Sequence, residues 1–136
     1  MNIEVRYFSR SGNTKRIGEA IAKGAGVIAK SITEEDNDNE YIDLLFLGGA
    51  PYANVMDSKL REYALGLSNE KVGNVVLFTT SNWSRRTVKG LRKILTVKDI
   101  KVDDEYFYAH MLNINGRISM AYEFGKRKKQ DYNKGE

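Results

Sequence analysis

The 136-residue sequence predicts an α/β fold, a three-layer doubly wound sheet of five parallel strands in the order 2-1-3-4-5. Three observations carry this expectation. Apolar, β-branched runs alternate with helical patterns along the whole chain. Two of those runs, Leu44 to Leu47 and Val75 to Phe78, are apolar without interruption, as strands buried on both faces are. Finally, Ser9 to Thr14, Gly49 to Asn54 and Thr80 to Arg86 are unusually decorated loops that follow strands one, three and four. Those strands are neighbours in the 2-1-3-4-5 order, and such sheets bind ligands beyond their carboxyl ends, where the strand order reverses.

The first strand spans Ile3 to Phe8, interrupted by Glu4 and Arg6. A buried Arg6 would need a carboxylate, because an unpaired buried charge costs several kcal/mol or more. Glu4, on the same side of the strand, is the nearest candidate and Asp43 another. Ile17, Ala20, Ile21 and Gly24 mark a helix from about Thr14 to Gly24, ended by the glycines up to Gly26. Val27 to Ile32 is a short strand, followed by an acidic connection, Thr33 to Glu40, with room for one helical turn at most. The run Leu44 to Leu47 ends in Gly48-Gly49, and Ala50 to Met56 is a loop in which Pro51 keeps Ala50 extended. Asp57 caps a helix whose inner face is Leu60, Tyr63, Ala64 and Leu67. Val75 to Phe78 is the fourth strand, and Val88, Leu91, Ile94 and Leu95 form the next helical face. Asp103 and Asp104 read as turn residues before an aromatic strand, Glu105 to His110. Asn113 to Gly116 turns the chain into a last helix with Ile118, Ala121, Tyr122 and Gly125. The domain is placed at residues 1–129, with 130–136 a polar, frayed C-terminal tail.

Composition removes several functional classes. With no cysteine, the chain has no disulfide, thiolate catalysis or iron–sulfur ligation. No apolar run approaches the roughly 18–20 residues of a membrane span, and no signal-peptide pattern opens the chain, so a cytoplasmic protein is expected. The net charge of +4 is uneven, with Lys126-Arg127-Lys128-Lys129 read as a solvated helix end rather than a nucleic-acid site. His110, the single histidine, has no triad or metal set around it and is read as structural.

The stretch Ser9-Arg10-Ser11-Gly12-Asn13-Thr14 joins the first strand to the first helix. The first amides of a helix have no internal partner, and the helix dipole adds about half a positive charge there. Ser9, Ser11 and Thr14 carry hydroxyls that can donate to the same spot, and Gly12 permits close backbone approach. The stretch is either a phosphate cradle or a βα turn capped by Thr14 or Ser11. Its coincidence with two more decorated strand ends favours the cradle.

On these residues the chain resembles the flavodoxin family in its short-chain form. Ser9 to Thr14 is similar to the family's phosphate loop, a hydroxyl-x-hydroxyl-Gly-x-Thr pattern. Gly48-Gly49-Ala50-Pro51-Tyr52 is similar to its second flavin loop, and Thr80-Ser81-Asn82-Trp83 falls where its third loop follows strand four. The resemblance implies a flavodoxin-like fold and FMN as the cofactor, phosphate on the first loop and ring between the second and third. The implied binding residues are Ser9, Arg10, Ser11, Gly12, Asn13, Thr14, Ala50, Pro51, Tyr52, Ala53, Asn54, Thr80, Ser81, Asn82, Trp83 and Arg85. Tyr52 and Trp83 are the aromatic residues able to cover a planar ring.

The chain departs from the family in charge. Electron-shuttling flavodoxins are typically acidic, whereas this chain is net basic and places Arg10, Arg85 and Arg86 in the ligand loops. Positive charge there favours a reduced, anionic flavin and a less negative reduction potential. It also suits an acidic redox partner or an anionic substrate such as a nicotinamide nucleotide. The expected function is electron transfer by an FMN-binding protein with redox partner proteins, and no nucleic-acid or membrane partner. The alternatives are a small FMN-dependent NAD(P)H oxidoreductase with a quinone or dye acceptor, and a flavin-free interaction module. No side chain stands out as a general acid or base. A response-regulator receiver would need an acidic residue where Ser9 and Gly48-Gly49 stand, and a dinucleotide fold would need G-x-G-x-x-G after strand one.

Overall fold

Alternation of strand and helix is realised in full in the computed structural model, which describes residues 1–34, 40–52 and 55–134. The chain runs β1 (Ile3–Tyr7), α1 (Asn13–Ala25), β2 (Ala29–Ser31), β3 (Ile42–Gly49), β4 (Pro51–Tyr52), β5 (Val55–Met56), α2 (Ser58–Leu65), β6 (Val72–Ser81), α3 (Arg86–Val97), β7 (Lys101–Val102) and β8 (Phe107–His110). A 3-10 turn at Asn115–Arg117 leads into α4 (Ile118–Lys134). The sheet is parallel in the order β2-β1-β3-β6, and β7 and β8 both pair with β6. This is the 2-1-3-4-5 arrangement with its fifth position filled by two short strands instead of one spanning Glu105 to His110. The break falls at Asp103, whose carboxylate accepts the Glu105 N–H at 2.8 Å in a tight turn.

The period-2 alternation of β3 explains its uninterrupted apolar run. Leu44 and Phe46 enter the core beneath α1 and α4, with Ile17, Ile21, Phe78 and Phe124. Leu45 and Leu47 enter the opposite core beneath α2 and α3, with Leu60, Leu77, Leu91 and Leu95. On the first face α1 and α4 touch at the backbone: a Cβ on Gly24 would lie 1.9 Å from the Tyr122 carbonyl oxygen, and one on Gly125 would lie 2.1 Å from that of Ile21. Arg6 is 2% exposed. Its Nε donates to Glu4 at 3.2 Å and its Nη1 to the Ser31 carbonyl at 3.3 Å, so Glu4 is a carboxylate partner. Asp43 instead accepts the Asn2 N–H at 2.7 Å.

Three expectations change at the periphery. The Ala50 to Met56 segment contains an antiparallel pair, β4 with β5, and Ala53 and Asn54 at its turn lie outside the described residues. So does most of the acidic connection, residues 35–39. The polar segment after Lys129 is helical through Lys134, because Tyr132 donates its hydroxyl to Asp103 at 2.8 Å. The basic run is likewise not simply solvated: Lys128, 6% exposed, reaches Asp103 at 2.8 Å and Glu105 at 2.9 Å. Arg127 grips the two oxygens of Glu105 at 2.9 and 2.8 Å. These contacts clamp α4 onto the broken fifth strand.

The clamp dictates an acid limb of stability. Burial pushes the Asp103 carboxyl up, but the bonds from Lys128, the Glu105 N–H and Tyr132 outweigh it and hold it below the usual carboxylate range. Hydrogen bonds from Arg127 and Lys128 bring Glu105 down to about 2. A depressed folded-state value gives stability that is complete above the unfolded pKa, about 4.3 for glutamate, and lost as pH falls through the folded one. Thermal unfolding midpoints should therefore decline between pH ~5 and pH ~2. In an Asp103→Asn, Glu105→Gln double variant that slope should flatten, and an unchanged slope would place the acid sensitivity elsewhere.

Candidate functional site

The carboxyl ends of β1, β3 and β6 open into a cleft of about 590 Å³. Phe8, Arg10, Ser11, Asn13 and Thr14 line it from the first loop; Ala50, Pro51, Tyr52 and Asp57 from the second; Thr80, Ser81, Asn82 and Ser84 from the third; and Met111 from beyond β8. The three decorated strand ends thus meet in one place, within the size range of small-molecule sites.

The first loop enters α1 through Gly12, at φ 93 and ψ −10, a left-handed conformation that glycine adopts at little cost. The N-cap residue Gly12 supplies no side-chain cap, so a turn capped by Thr14 is not what forms. The Ser9 Oγ accepts the Gly12 N–H at 3.0 Å and shapes the loop without lining the cleft. The Ser11 Oγ accepts the Asn13 N–H at 3.4 Å. The Thr14 hydroxyl does not point to a shared spot with the serines: it is buried and hydrogen-bonded to the Thr80 hydroxyl at 2.7 Å, tying the first loop to the end of β6. What the turn offers a ligand is therefore mainly the backbone N–H groups of the first helical turn beyond Asn13, at the positive end of α1.

The second loop is locked to the first by Arg10. Its Nε donates to Asp57 at 2.7 Å, and its guanidinium lies 4.6 Å from the Tyr52 ring centre and 5.5 Å from that of Phe8. Asp57 also accepts the Lys59 N–H at 2.9 Å, capping α2 as its sequence position predicts. Arg10 thus reaches the cleft with its charge already balanced by a buried carboxylate, which weakens the argument that it raises a ligand's reduction potential. Tyr52 is left 62% exposed beside it.

The third loop holds Trp83 at φ 71, a conformation that costs a tryptophan on the order of 1–3 kcal/mol. The strain is held by Tyr108, which accepts the Trp83 N–H at 2.8 Å and donates to the Ser81 carbonyl at 3.1 Å. The Trp83 ring, 72% exposed, does not line the cleft, although Asn82 and Ser84 on either side of it do; it packs edge-on against His110, centroids 4.8 Å apart. His110 has the structural role expected of it. Its Nδ1 accepts the Leu112 N–H at 3.1 Å, so Nε2 carries the hydrogen that bridges the 2.9 Å to Asn82 Oδ1. That assignment leaves the Asn82 Nδ2 donors free on a residue that lines the cleft. Arg85, expected at the ligand, turns to the fifth strand and sits 4.5 Å from the Tyr108 ring centre, away from the cleft lining.

Phe8, Ser84 and Met111 line the cleft without having been expected there, and Asp57 was read only as a cap. Met111 could have been found by extending the strand-end rule to the fifth strand. The Arg10–Asp57 pair spans 47 positions and leaves no local signal. Among the described residues no group of histidines and carboxylates could hold a metal, and no helix is long and apolar enough to cross a membrane.

No family model and no curated protein matches the chain. Solved structures do. The chain is similar to a flavodoxin from the domain Archaea, at 17% identity and a TM-score of 0.72 over 98% of this chain and 99% of that one. It is similar to a Fusobacterium nucleatum flavodoxin variant bound to flavin mononucleotide, at 14% identity and a TM-score of 0.70 over 96% and 95%. It also matches the flavodiiron core Flv1 of Synechocystis, at 18% identity and a TM-score of 0.76, over all of this chain but 37% of that one. At such identities the likeness establishes the flavodoxin-like fold.

Proposed function

We propose that the cleft binds FMN and that the protein is an electron carrier. The observation that carries this reading is the glycine-entered terminus of α1, opening into the same cleft as the tyrosine- and asparagine-bearing loops. The fit is chemical as well as spatial. The α1 amides suit a phosphate without needing a cationic side chain. Tyr52 and Met111 offer apolar surface to a planar ring, and the Asn82 amide and loop backbone offer donors to its polar edge. When bound, FMN supplies reversible one- and two-electron chemistry; this chain's residues hold it, exclude water from part of it and set its electrostatic surroundings.

Trp83 is the sole tryptophan and lies in the third loop between Asn82 and Ser84, which line the cleft, so its emission is the probe of binding. Titration with FMN should quench its emission and the flavin's own fluorescence in parallel, saturating at one equivalent. A Trp83→Phe variant should lose the protein signal yet still quench the flavin. Absence of saturation at tens of micromolar FMN, about −6 kcal/mol of binding, would overturn the reading. Negligible NAD(P)H oxidation by the loaded protein is expected, and rapid turnover would instead favour the oxidoreductase.

A further inference from the structure

Helix N-termini favour carboxylates in their first turn and disfavour cations. Here α1, α2 and α3 carry no acidic residue in that turn. They carry Lys15 and Arg16, Lys59 and Arg61, and Arg86 and Lys89 instead, and in a parallel α/β sheet all three termini lie at the cleft edge. The charge is densest at α3: Arg85 to Lys93 holds Arg85, Arg86, Lys89, Arg92 and Lys93 and no carboxylate. The apolar face of α3, with Val88, Leu91 and Leu95, is buried, so its cations are its outward surface.

The same rim gathers exposed apolar side chains. Tyr52 and Val55 come from the β4–β5 hairpin, which leans on α3 through Met56 over Gly90. Trp83 comes from the third loop, and Met111 and Leu112, the latter 86% exposed, from beyond β8. An apolar centre of tryptophan, tyrosine and methionine with a charged margin is the make-up of a protein-docking surface. Single-stranded nucleic acid can stack on such aromatics and a lipid surface can take them up; their place beside the proposed FMN cleft favours a redox protein, and both others are outcomes of the test below.

We infer that the cleft mouth and the first turns of α2 and α3 form a docking surface for a redox protein whose own redox centre is ringed by carboxylates. This rests on the FMN reading for the word redox; the surface itself rests on charge and exposure. Complementary charge steers encounter and fixes orientation, and salt screens it.

The test is a titration of the 15N-labelled protein, followed by amide and Trp83 indole shifts. The probes are an acidic plant-type ferredoxin and, separately, the basic cytochrome c, at ~10 mM and ~150 mM salt. Ferredoxin should shift Trp83, Arg86, Lys89, Met111 and Leu112 at low salt and much less at the higher salt, and cytochrome c should leave them unmoved. An Arg86→Glu, Lys89→Glu variant should weaken the ferredoxin affinity by about tenfold or more. Its FMN titration should match the parent's, since neither residue lines the cleft. Ferredoxin shifts elsewhere, indifference to the variant, preference for cytochrome c, or tighter binding of an RNA oligomer or anionic vesicle at these residues would each overturn the inference. FMN binding without ferredoxin binding sinks the inference alone. Ferredoxin binding without FMN binding sinks the functional reading alone.

Discussion

Gly12→Asp should abolish FMN binding while leaving the fold intact. The two effects separate because of where Gly12 sits. A Cβ built there meets nothing within 4 Å, so the side chain has room, and the left-handed backbone is one that Asp and Asn tolerate better than other residues. The stability cost should be on the order of 1–3 kcal/mol, and a carboxylate at a helix N-terminus recovers part of it. The same carboxylate would stand beside the first-turn amides of α1 proposed to hold the phosphate. Like charges so placed cost several kcal/mol, and a loss of about 2.8 kcal/mol is already a hundredfold in affinity. Gly12→Asn is the control, with the same shape and no charge; it should keep the dissociation constant within about tenfold of the parent. Fluorescence titrations of the two variants, with melting curves to confirm folding, decide the matter. Parent-like binding by the aspartate variant would remove the cradle from the phosphate.

Gly125→Ala and Gly24→Ala should be strongly destabilising single-methyl additions. In Gly125→Ala the added carbon would fall 2.1 Å from the Ile21 carbonyl oxygen, and Gly24→Ala would meet the Tyr122 carbonyl at 1.9 Å. Both obstacles are backbone, so neither can be relieved by a rotamer change; α1 and α4 must separate. Overpacking of this kind costs about 3 kcal/mol or more, roughly 10 °C of melting temperature in a domain this size. Gly66→Ala serves as the comparison. Its φ is −83 and its nearest neighbour would be the Tyr63 carbonyl at 3.5 Å, an ordinary contact. It should leave stability within about 0.5 kcal/mol. Denaturant unfolding of the three variants measures this directly, and a mild Gly125→Ala would mean the helices separate more easily than their backbone contact implies.

These two predictions mark what was legible in the sequence. The strand-to-helix turn at Gly12 is readable because hydroxyls and one glycine sit together in six residues just before a helical pattern, although its left-handed backbone is seen only in the structure. The α1–α4 contact was not, because Gly24 and Gly125 lie far apart and each reads locally as a helix terminus or a helical small residue. The same distinction runs through the site. Sequence order placed Ser11, Asn13, Ala50, Tyr52 and Asn82 on one cleft through the strand-end rule alone. It could not assign Arg10, whose behaviour is set by Asp57, or Arg85, whose behaviour is set by Tyr108. Flexible cations go to whichever carboxylate or ring the fold brings near, and that is non-local information. The polar C-terminal segment conceals its contacts for a related reason. Lys128 and Tyr132 look like solvated surface until Asp103 and Glu105 arrive beneath them.

The broken fifth strand has a consequence for how copies of this molecule behave together. An open parallel sheet ends in two unpaired rows of backbone donors and acceptors, each a template on which another chain can extend. Here one rim is β2, three residues long, and the other is split into β7, of two, and β8, of four. At β8 the template is further occupied, because Arg117 Nη2 already donates to the Tyr108 carbonyl at 2.9 Å. The turn that seats Asp103 under Lys128 is the same one that cuts the rim in two, so the clamp on α4 also keeps the sheet from growing by intermolecular strand addition.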